Sequence, residues 1–203
     1  LIFKKVIGGF GSLLFYGKGN TMQKITDLIR SVRLRINDSD STGFDDSELL
    51  DYINGGIQWL HRLILRERPE LIAEEEVLKT EPFTLSKKPL KILEAPEGFL
   101  VRMNGTIATT EKGSIYVRYV PDMDFLANTD DFPYHQSFVD MVVEFATIRA
   151  QLRNEFSMGD EMGIFSQLES QVVGVIQGIQ SDRSDIDGYY PVRRRSDDYG
   201  GIE

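Results

Sequence analysis

The sequence predicts a mainly α-helical fold: a four-helix bundle with a small antiparallel β insertion and an extended C-terminal tail. Three observations in the 203-residue chain support this prediction. Apolar residues recur at helical spacing in four separate stretches, two in each half of the chain. Between Leu71 and Asp131 the spacing changes to the alternation that is typical of strands. After Ser181 the apolar periodicity ends.

Residues 1–21 differ in composition from everything that follows. Residues 1–5 end in two lysines, and residues 6–16 are apolar with three glycines. This order resembles a signal peptide, but no small-residue cleavage site follows before Met22. We therefore predict a flexible N-terminal extension, or residues upstream of a natural start at Met22.

The first two helices open the predicted helical domain with its β insertion, residues 22–181. Five apolar residues at helical spacing indicate the first helix: Ile25, Leu28, Ile29, Val32 and Ile36. A similar stripe indicates the second: Leu49, Ile53, Ile57, Leu60 and Ile64. Asp45 and Glu48 have the spacing of a capping box at the start of the second helix. Pro69 favours an end near Arg68, because the residue before a proline avoids helical geometry.

A small antiparallel sheet is predicted at about residues 80–125. Residues 99–104 and 114–120 are the best strand candidates. Residues 111–113 are predicted to form the turn that joins a strand at 106–108 to the strand at 114–120. Within that last strand one face is predicted to carry Ile115, Val117 and Tyr119.

Two more helices and a tail complete the prediction. The third helix is predicted to begin near Pro133 and carries Phe138, Val142, Phe145, Ile148, Leu152 and Phe156. After a break at residues 157–160, a fourth carries Met162, Phe165, Leu168, Val172, Val175, Ile176 and Ile179. Residues 182–203 mix aromatic, charged and glycine residues and cannot build a core of their own. We predict that this C-terminal tail docks on a partner, with its tyrosines as anchors.

The composition argues against catalysis and against membrane insertion. The chain has no cysteine and only two histidines, His61 and His135, which leaves few groups for metal or nucleophilic chemistry. His61 is interpreted as a packing or interface residue. No apolar run approaches the length that spans a bilayer. The net charge of −9 disfavours nonspecific binding to nucleic acid. We predict a protein that is not an enzyme and has no cofactor.

One loop suggests an alternative function. Asp38, Asp40, Gly43 and Asp46 fall at the first, third, sixth and ninth positions of an EF-hand calcium loop. The twelfth position, which requires a bidentate glutamate, is Leu49. The alternative is therefore an unrelated helical protein-binding domain with a weak ion site in this loop.

Four short features of the sequence carry a family resemblance. They are the helix at 48–57 with its Leu-Leu-x-x-Ile-Asn core, the Arg68-Pro69-Glu70-Leu71 segment, the Phe132-Pro133 entry to 140–153, and Gly188-Tyr189-Tyr190-Pro191 with its arginines. Together with the sheet insertion, these features resemble bacteriophage head-to-tail adaptor proteins, which complete the head and connect it to the tail. The resemblance covers about residues 22–195.

The resemblance implies a structural role in the virion, at the head–tail connector, with the host cytoplasm as the place of assembly. Adaptors of this family form rings, typically of twelve copies, between the portal protein and a tail or nozzle protein. Genomic DNA passes through the ring without specific binding. Carried over by position, the portal-docking residues are Tyr189, Tyr190, Pro191, Arg193, Arg194 and Arg195. A different phage neck or tail-completion protein is the nearest alternative.

Overall fold

The computed structural model describes residues 23–179, apart from residues 80, 97, 103, 110–112 and 154–157. This part contains four α-helices and six strands. In chain order they are α1 (Ile25–Arg35), α2 (Asp46–Glu67), β1 (Glu74–Leu78), β2 (Phe83–Thr84), β3 (Pro89–Glu94), β4 (Leu100–Val101), β5 (Thr106–Ala108), β6 (Ile115–Pro121), α3 (Val139–Leu152) and α4 (Met158–Gly178). Short 3-10 helices at Pro69–Ile72 and Gln136–Phe138 follow α2 and precede α3.

The predicted fold class is wrong, because the described part is a mixed α/β fold and not a four-helix bundle with a minor insertion. The strands form two three-stranded antiparallel sheets. These sheets also have a hydrophobic core of their own, formed by Phe83, Leu85, Ile107, Ile115, Val117 and Tyr119. Alternating apolar residues in several short strands therefore bury enough surface to form a second layer of structure beside the helices.

Helix α2 is the central element of the helical part, because it packs against α1, α3 and α4. Its predicted apolar stripe is buried, with Leu49, Ile53, Ile57, Leu60 and Ile64 each at most 1% exposed. Gly56 brings α2 close to α3, since an added Cβ would lie only 3.1 Å from Phe145 Cδ1 and 3.2 Å from Val142 Cγ1. The helical spacing in the sequence therefore identified both the helices and their inward faces.

Strand β6 is central in the larger sheet, whose order is β1-β6-β3. Its residues Ile115, Val117 and Tyr119 are at most 1% exposed, which confirms the face predicted for them. The smaller sheet has the order β2-β5-β4. Strands β5 and β6 belong to different sheets, so the predicted turn at 111–113 does not join a hairpin. Of that turn only Gly113 lies among the described residues.

The β region begins earlier than the predicted boundary at about residue 80. Strand β1 starts at Glu74 and pairs with β6 from Glu74↔Tyr119 to Leu78↔Ile115. Three consecutive glutamates, residues 74–76, open this strand and hide its pattern in the sequence. Glutamate is depleted in strands, and here pairing with a buried central strand overrides that preference.

Two helix starts differ from the predictions. Asp45 precedes α2 as its N-cap residue, but its side chain makes no capping hydrogen bond. Glu48 accepts hydrogen bonds from Tyr52 Oη at 2.9 Å and from Arg153 Nη1 at 2.6 Å, so the capping box is not formed. Helix α3 starts at Val139 and not near Pro133. The 3-10 helix at Gln136–Phe138 directly precedes it, and before that helix Phe132 N donates to the carbonyl of Gln23 at 2.8 Å.

Candidate interaction surfaces

Asn54 joins α2 to the segment that leads from the sheets to α3. Its side chain is buried, at 3% exposure, and both of its polar atoms bind the backbone of Leu126. Asn54 Nδ2 donates to the Leu126 carbonyl at 3.0 Å, and Leu126 N donates to Asn54 Oδ1 at 2.9 Å. A buried amide needs such partners, so this asparagine fixes the position of Leu126. The Leu-Leu-x-x-Ile-Asn motif therefore ends at the residue that joins α2 to the segment before α3.

Arg68, in the second motif, binds the end of α4. Its guanidinium donates to the carbonyls of Ile179 and Ile176, and to Glu70 Oε1 at 2.8 Å. The last carbonyls of a helix have no partner within the helix, and a cation there also interacts favourably with the helix dipole. The Arg-Pro-x-Leu motif thus holds the last described turn of the chain, directly before the residues predicted to form the C-terminal tail.

His61 connects α2 to the end of β6. It is 6% exposed; Nε2 lies 3.2 Å from the Pro121 carbonyl and Nδ1 lies 2.7 Å from Tyr134 Oη. A carbonyl only accepts hydrogen bonds, so Nε2 carries the proton. Burial lowers the pKa of His61, against smaller opposing effects of the Pro121 carbonyl and Asp122. The neutral ring therefore packs inside the folded chain, which agrees with the interpretation from the sequence.

The acidic loop between α1 and α2 is organised around an arginine. Arg33 is 8% exposed and donates to Asp38 Oδ2 at 2.5 Å, to Asp46 Oδ1 at 2.6 Å and to the Phe44 carbonyl at 2.9 Å. Asp38 Oδ1 also accepts from Gly43 N at 2.7 Å. A guanidinium thus pairs with two of the three carboxylates, Asp38 and Asp46, that have EF-hand spacing. Across the described residues no group of three acidic or histidine side chains is placed to hold a metal ion.

An aromatic cluster with an arginine lies where α2, α3 and α4 meet. The Trp59 and Phe145 rings stack with centroids 5.2 Å apart, and Phe165 lies 5.3 Å from Phe145. Arg149 lies over Phe145 and Phe165, at 5.5 Å and 5.4 Å from the ring centroids. Phe165 continues into a shallow open groove of about 640 Å³ between α2 and α4, which we call the α2–α4 groove. Its other lining residues include Arg66, Ser166, Glu169, Ser170 and Val173.

Several large apolar side chains are exposed on the described part of the chain. Three lie on edge strands of the two sheets: Val77 on β1, Leu90 on β3 and Leu100 on β4. The most exposed is Phe125, at 71%, in the loop after β6. Its exposure cannot be predicted from the sequence, because a single aromatic residue in a loop has no periodicity; its only signal is its position beside Asp122 and Asp124. None of the described helices has the length and apolar character needed to cross a membrane.

The predicted portal-docking residues lie outside the described residues. They are Tyr189, Tyr190, Pro191, Arg193, Arg194 and Arg195, and the predicted N-terminal extension at 1–21 lies outside as well. The described contacts therefore belong to the part of the chain that precedes the predicted tail. Neither a protein-family model nor a curated protein matches the chain.

Proposed function

We propose that the chain is a structural head-to-tail adaptor of a tailed bacteriophage. In this proposal it forms a ring between the portal and the phage tail and extends the channel through which DNA passes. The net charge of −9 suits a wall along which DNA slides without binding. The C-terminal tail is the segment that binds the portal, through Tyr189 and Tyr190 and the arginines at 193–195.

The observation that carries the proposal is the position of the motif residues in the fold. Of the two motifs near α2 that resemble the adaptor family, one ends at Asn54 and the other begins at Arg68. Each of these two side chains binds a backbone segment that is distant in the chain. Asn54 sets the loop at Leu126, and Arg68 sets the end of α4. Helix packing alone would not require these polar roles, so the two motifs have structural roles in this fold, which is what supports the proposal.

The alternative with a loop ion site has less support. Arg33 already neutralises Asp38 and Asp46, and the Asp38 side chain is only 8% exposed. A cation would have to displace a buried guanidinium from this position, which is costly because it leaves the arginine without its partner. The nearest alternative function is that of a different phage neck or tail-completion protein, because such a protein would also use ring contacts and a docking tail.

Removal of the residues after Ser181 tests the role of the tail. We expect the truncated chain to keep its cooperative unfolding and its helical circular dichroism, because the described helices and sheets end before that point. We also expect it to lose binding to portal rings of the same phage, measured by co-sedimentation. A full-length variant with Arg193, Arg194 and Arg195 replaced by glutamine is the matched control and should bind more weakly without a change in stability.

Two results would count against the proposal. If the truncated chain binds portal rings as well as the full chain does, the tail is not the portal-docking segment. If truncation unfolds the protein, residues 182–203 belong to its core and are not a docking tail.

A further inference from the structure

The last turn of α4 has little to stabilise it from within the helix. Val175, Ile176 and Gly178 lie in this turn, and all three residue types have lower helix propensity than alanine. Among its described residues the turn contains no basic side chain that could interact with the helix dipole. The carbonyl groups at a helix end have no partner within the helix. The end of α4 therefore needs a hydrogen-bond donor from elsewhere in the chain.

Arg68, at the end of α2, is that donor. Its guanidinium donates to the carbonyl of Ile179 and, at 3.5 Å, to the carbonyl of Ile176. Arg68 Nε also donates to Glu70 Oε1 at 2.8 Å, which fixes the orientation of the guanidinium, and the Arg68 side chain is only 21% exposed. Both sides of the contact pack on the helical core, one through buried Ile176 and the other through Leu71. Arg68 thus supplies the cation that α4 lacks.

The rest of α4 is held by contacts that do not involve its last turn. Leu168 and Val172 face the core and are at most 5% exposed. On the surface, Arg66 Nη2 donates to Glu169 Oε1 at 2.8 Å. These contacts lie at least one turn before the end of the helix. Loss of the Arg68 contact is therefore expected to free the end of α4 and not the whole helix.

The Arg68 contact lies directly before the predicted docking tail. Tyr189, the first of the predicted portal-docking residues, follows Ile179 by ten residues, from 179 to 189. Ten residues span at most about 33–36 Å, so the position of Ile179 limits where this tyrosine can bind. An unwound last turn would lengthen the free segment and give it more conformational freedom to lose on binding. The state of this turn therefore affects the affinity of the tail.

We propose that Arg68 is a positioning residue for portal docking: it binds the last carbonyls of α4 and thereby fixes the point from which the C-terminal tail leaves the fold. This inference rests on the proposed function, in which the tail is the portal-docking segment. It adds to that function a residue of the described part on which the strength of docking depends.

The affinity of R68M for portal rings tests the inference, with R66M as the matched control. Both variants lose an arginine that binds α4, but Arg66 binds the Glu169 side chain and not the end of the helix. We expect R68M to bind about fivefold more weakly, which corresponds to about 1 kcal/mol for a cation at a helix C-terminus. R66M should bind as the wild type does. R68K keeps the charge, which guards against a variant that does not fold, and its affinity should lie between those of R68M and the wild type.

A spin label distinguishes positioning from a general loss of stability, and the absence of cysteine from the chain makes a single label possible. Gln177 is exposed in the last turn of α4, and Ser166 is exposed earlier in the same helix. In the R68M background the label of Q177C should become more mobile, whereas the label of S166C should not. R66M should change the mobility of neither label. An equal increase at both positions would show that Arg68 holds the whole helix, which overturns the inference.

The remaining outcomes separate this inference from the proposed function. If R68M and R68K both bind portal rings as tightly as the wild type, while removal of the residues after Ser181 abolishes binding, the inference fails and the adaptor function stands. Equal weakening by R66M and R68M overturns the inference as well, because the effect is then not specific to the end of α4. If the wild-type chain does not bind portal rings at all, the proposed function itself fails, even if the label at position 177 responds as expected.

Discussion

At Gly56, helix α2 approaches α3 so closely that an added methyl group would have to move the side chains of Phe145 and Val142 by a few tenths of an ångström. Replacing glycine by alanine usually stabilises a helix by about 1 kcal/mol. Here the added Cβ would meet Phe145 and Val142 at 3.1 Å and 3.2 Å. We expect G56A to lower the free energy of unfolding by about 1–3 kcal/mol, the usual effect of overpacking.

Gly174 in α4 is the matched control, because an added Cβ there meets nothing within 4 Å. We expect G174A to raise the free energy of unfolding by up to about 1 kcal/mol. Urea denaturation of both variants checks the pair. A stabilised G56A would contradict the expected overpacking and show that the side chains of Phe145 and Val142 yield to the added methyl group.

From the buried position of His61 we can predict how the free energy of unfolding depends on pH. Burial lowers its pKa in the folded state, so below about pH 6.5 the unfolded chain binds a proton that the folded chain resists. The contribution of neutral His61 is therefore complete above that pH and is lost as the pH falls through the folded-state pKa. The additional slope is at most about 1.4 kcal/mol per pH unit.

Denaturation curves between pH 7 and 5 measure this slope. H61Q should remove it, because glutamine does not titrate but can still donate to the Pro121 carbonyl. H135Q, a change at the exposed second histidine, should retain it. An identical slope in the wild type and in H61Q would contradict the assignment.

Between elements, the loop from α1 to α2 depends on the ion pair of Arg33 with Asp38. Both side chains are less than a tenth exposed. We expect R33M to lower the free energy of unfolding by about 3–5 kcal/mol, because it leaves the Asp38 carboxylate buried without its counter-charge. R33M/D38N should recover at least about 1 kcal/mol of that loss, since asparagine can still accept from Gly43 N. Additive effects in this double-mutant cycle would mean that the two side chains do not interact.

The elements that could be predicted from the sequence are those whose pattern is local. The four helices follow from stripes such as Leu49–Ile53–Ile57, because burial of one helix face repeats every three to four residues. Strand pairing is not local. Nothing near β5 and β6 in the sequence shows that they belong to different sheets, since that depends on β1 and β2. The start of β1 could not be predicted from the sequence, because its first three residues are glutamates and give no apolar alternation.

The candidate surfaces were predictable to a lesser extent. The sequence identified the Leu-Leu-x-x-Ile-Asn and Arg-Pro-x-Leu motifs but not what their polar residues bind, because Leu126 and Ile179 are far away in the chain. The EF-hand spacing, which already lacks the glutamate at its twelfth position, does not show that Arg33, outside the motif, pairs with Asp38 and Asp46. Phe125 and the α2–α4 groove are defined only by the folded chain.

At the scale of the whole molecule, the described part is a mixed α/β unit, and the predicted docking segment follows it in the chain. In the proposed adaptor function, the described part supplies the contacts between copies in the ring, and the C-terminal tail supplies the attachment to the portal. The proposal therefore uses different parts of the chain for the two kinds of contact.

The proposed adaptor function is tested by the mass of portal rings mixed with an excess of the chain. We predict that each portal ring gains one complete ring of chains, which is twelve copies of 23.1 kDa for the ring size that the resemblance implies. Partial additions should be rare, because each copy in a ring also contacts its neighbours. A chain that stays monomeric and leaves the mass of the portal rings unchanged would contradict the proposed function.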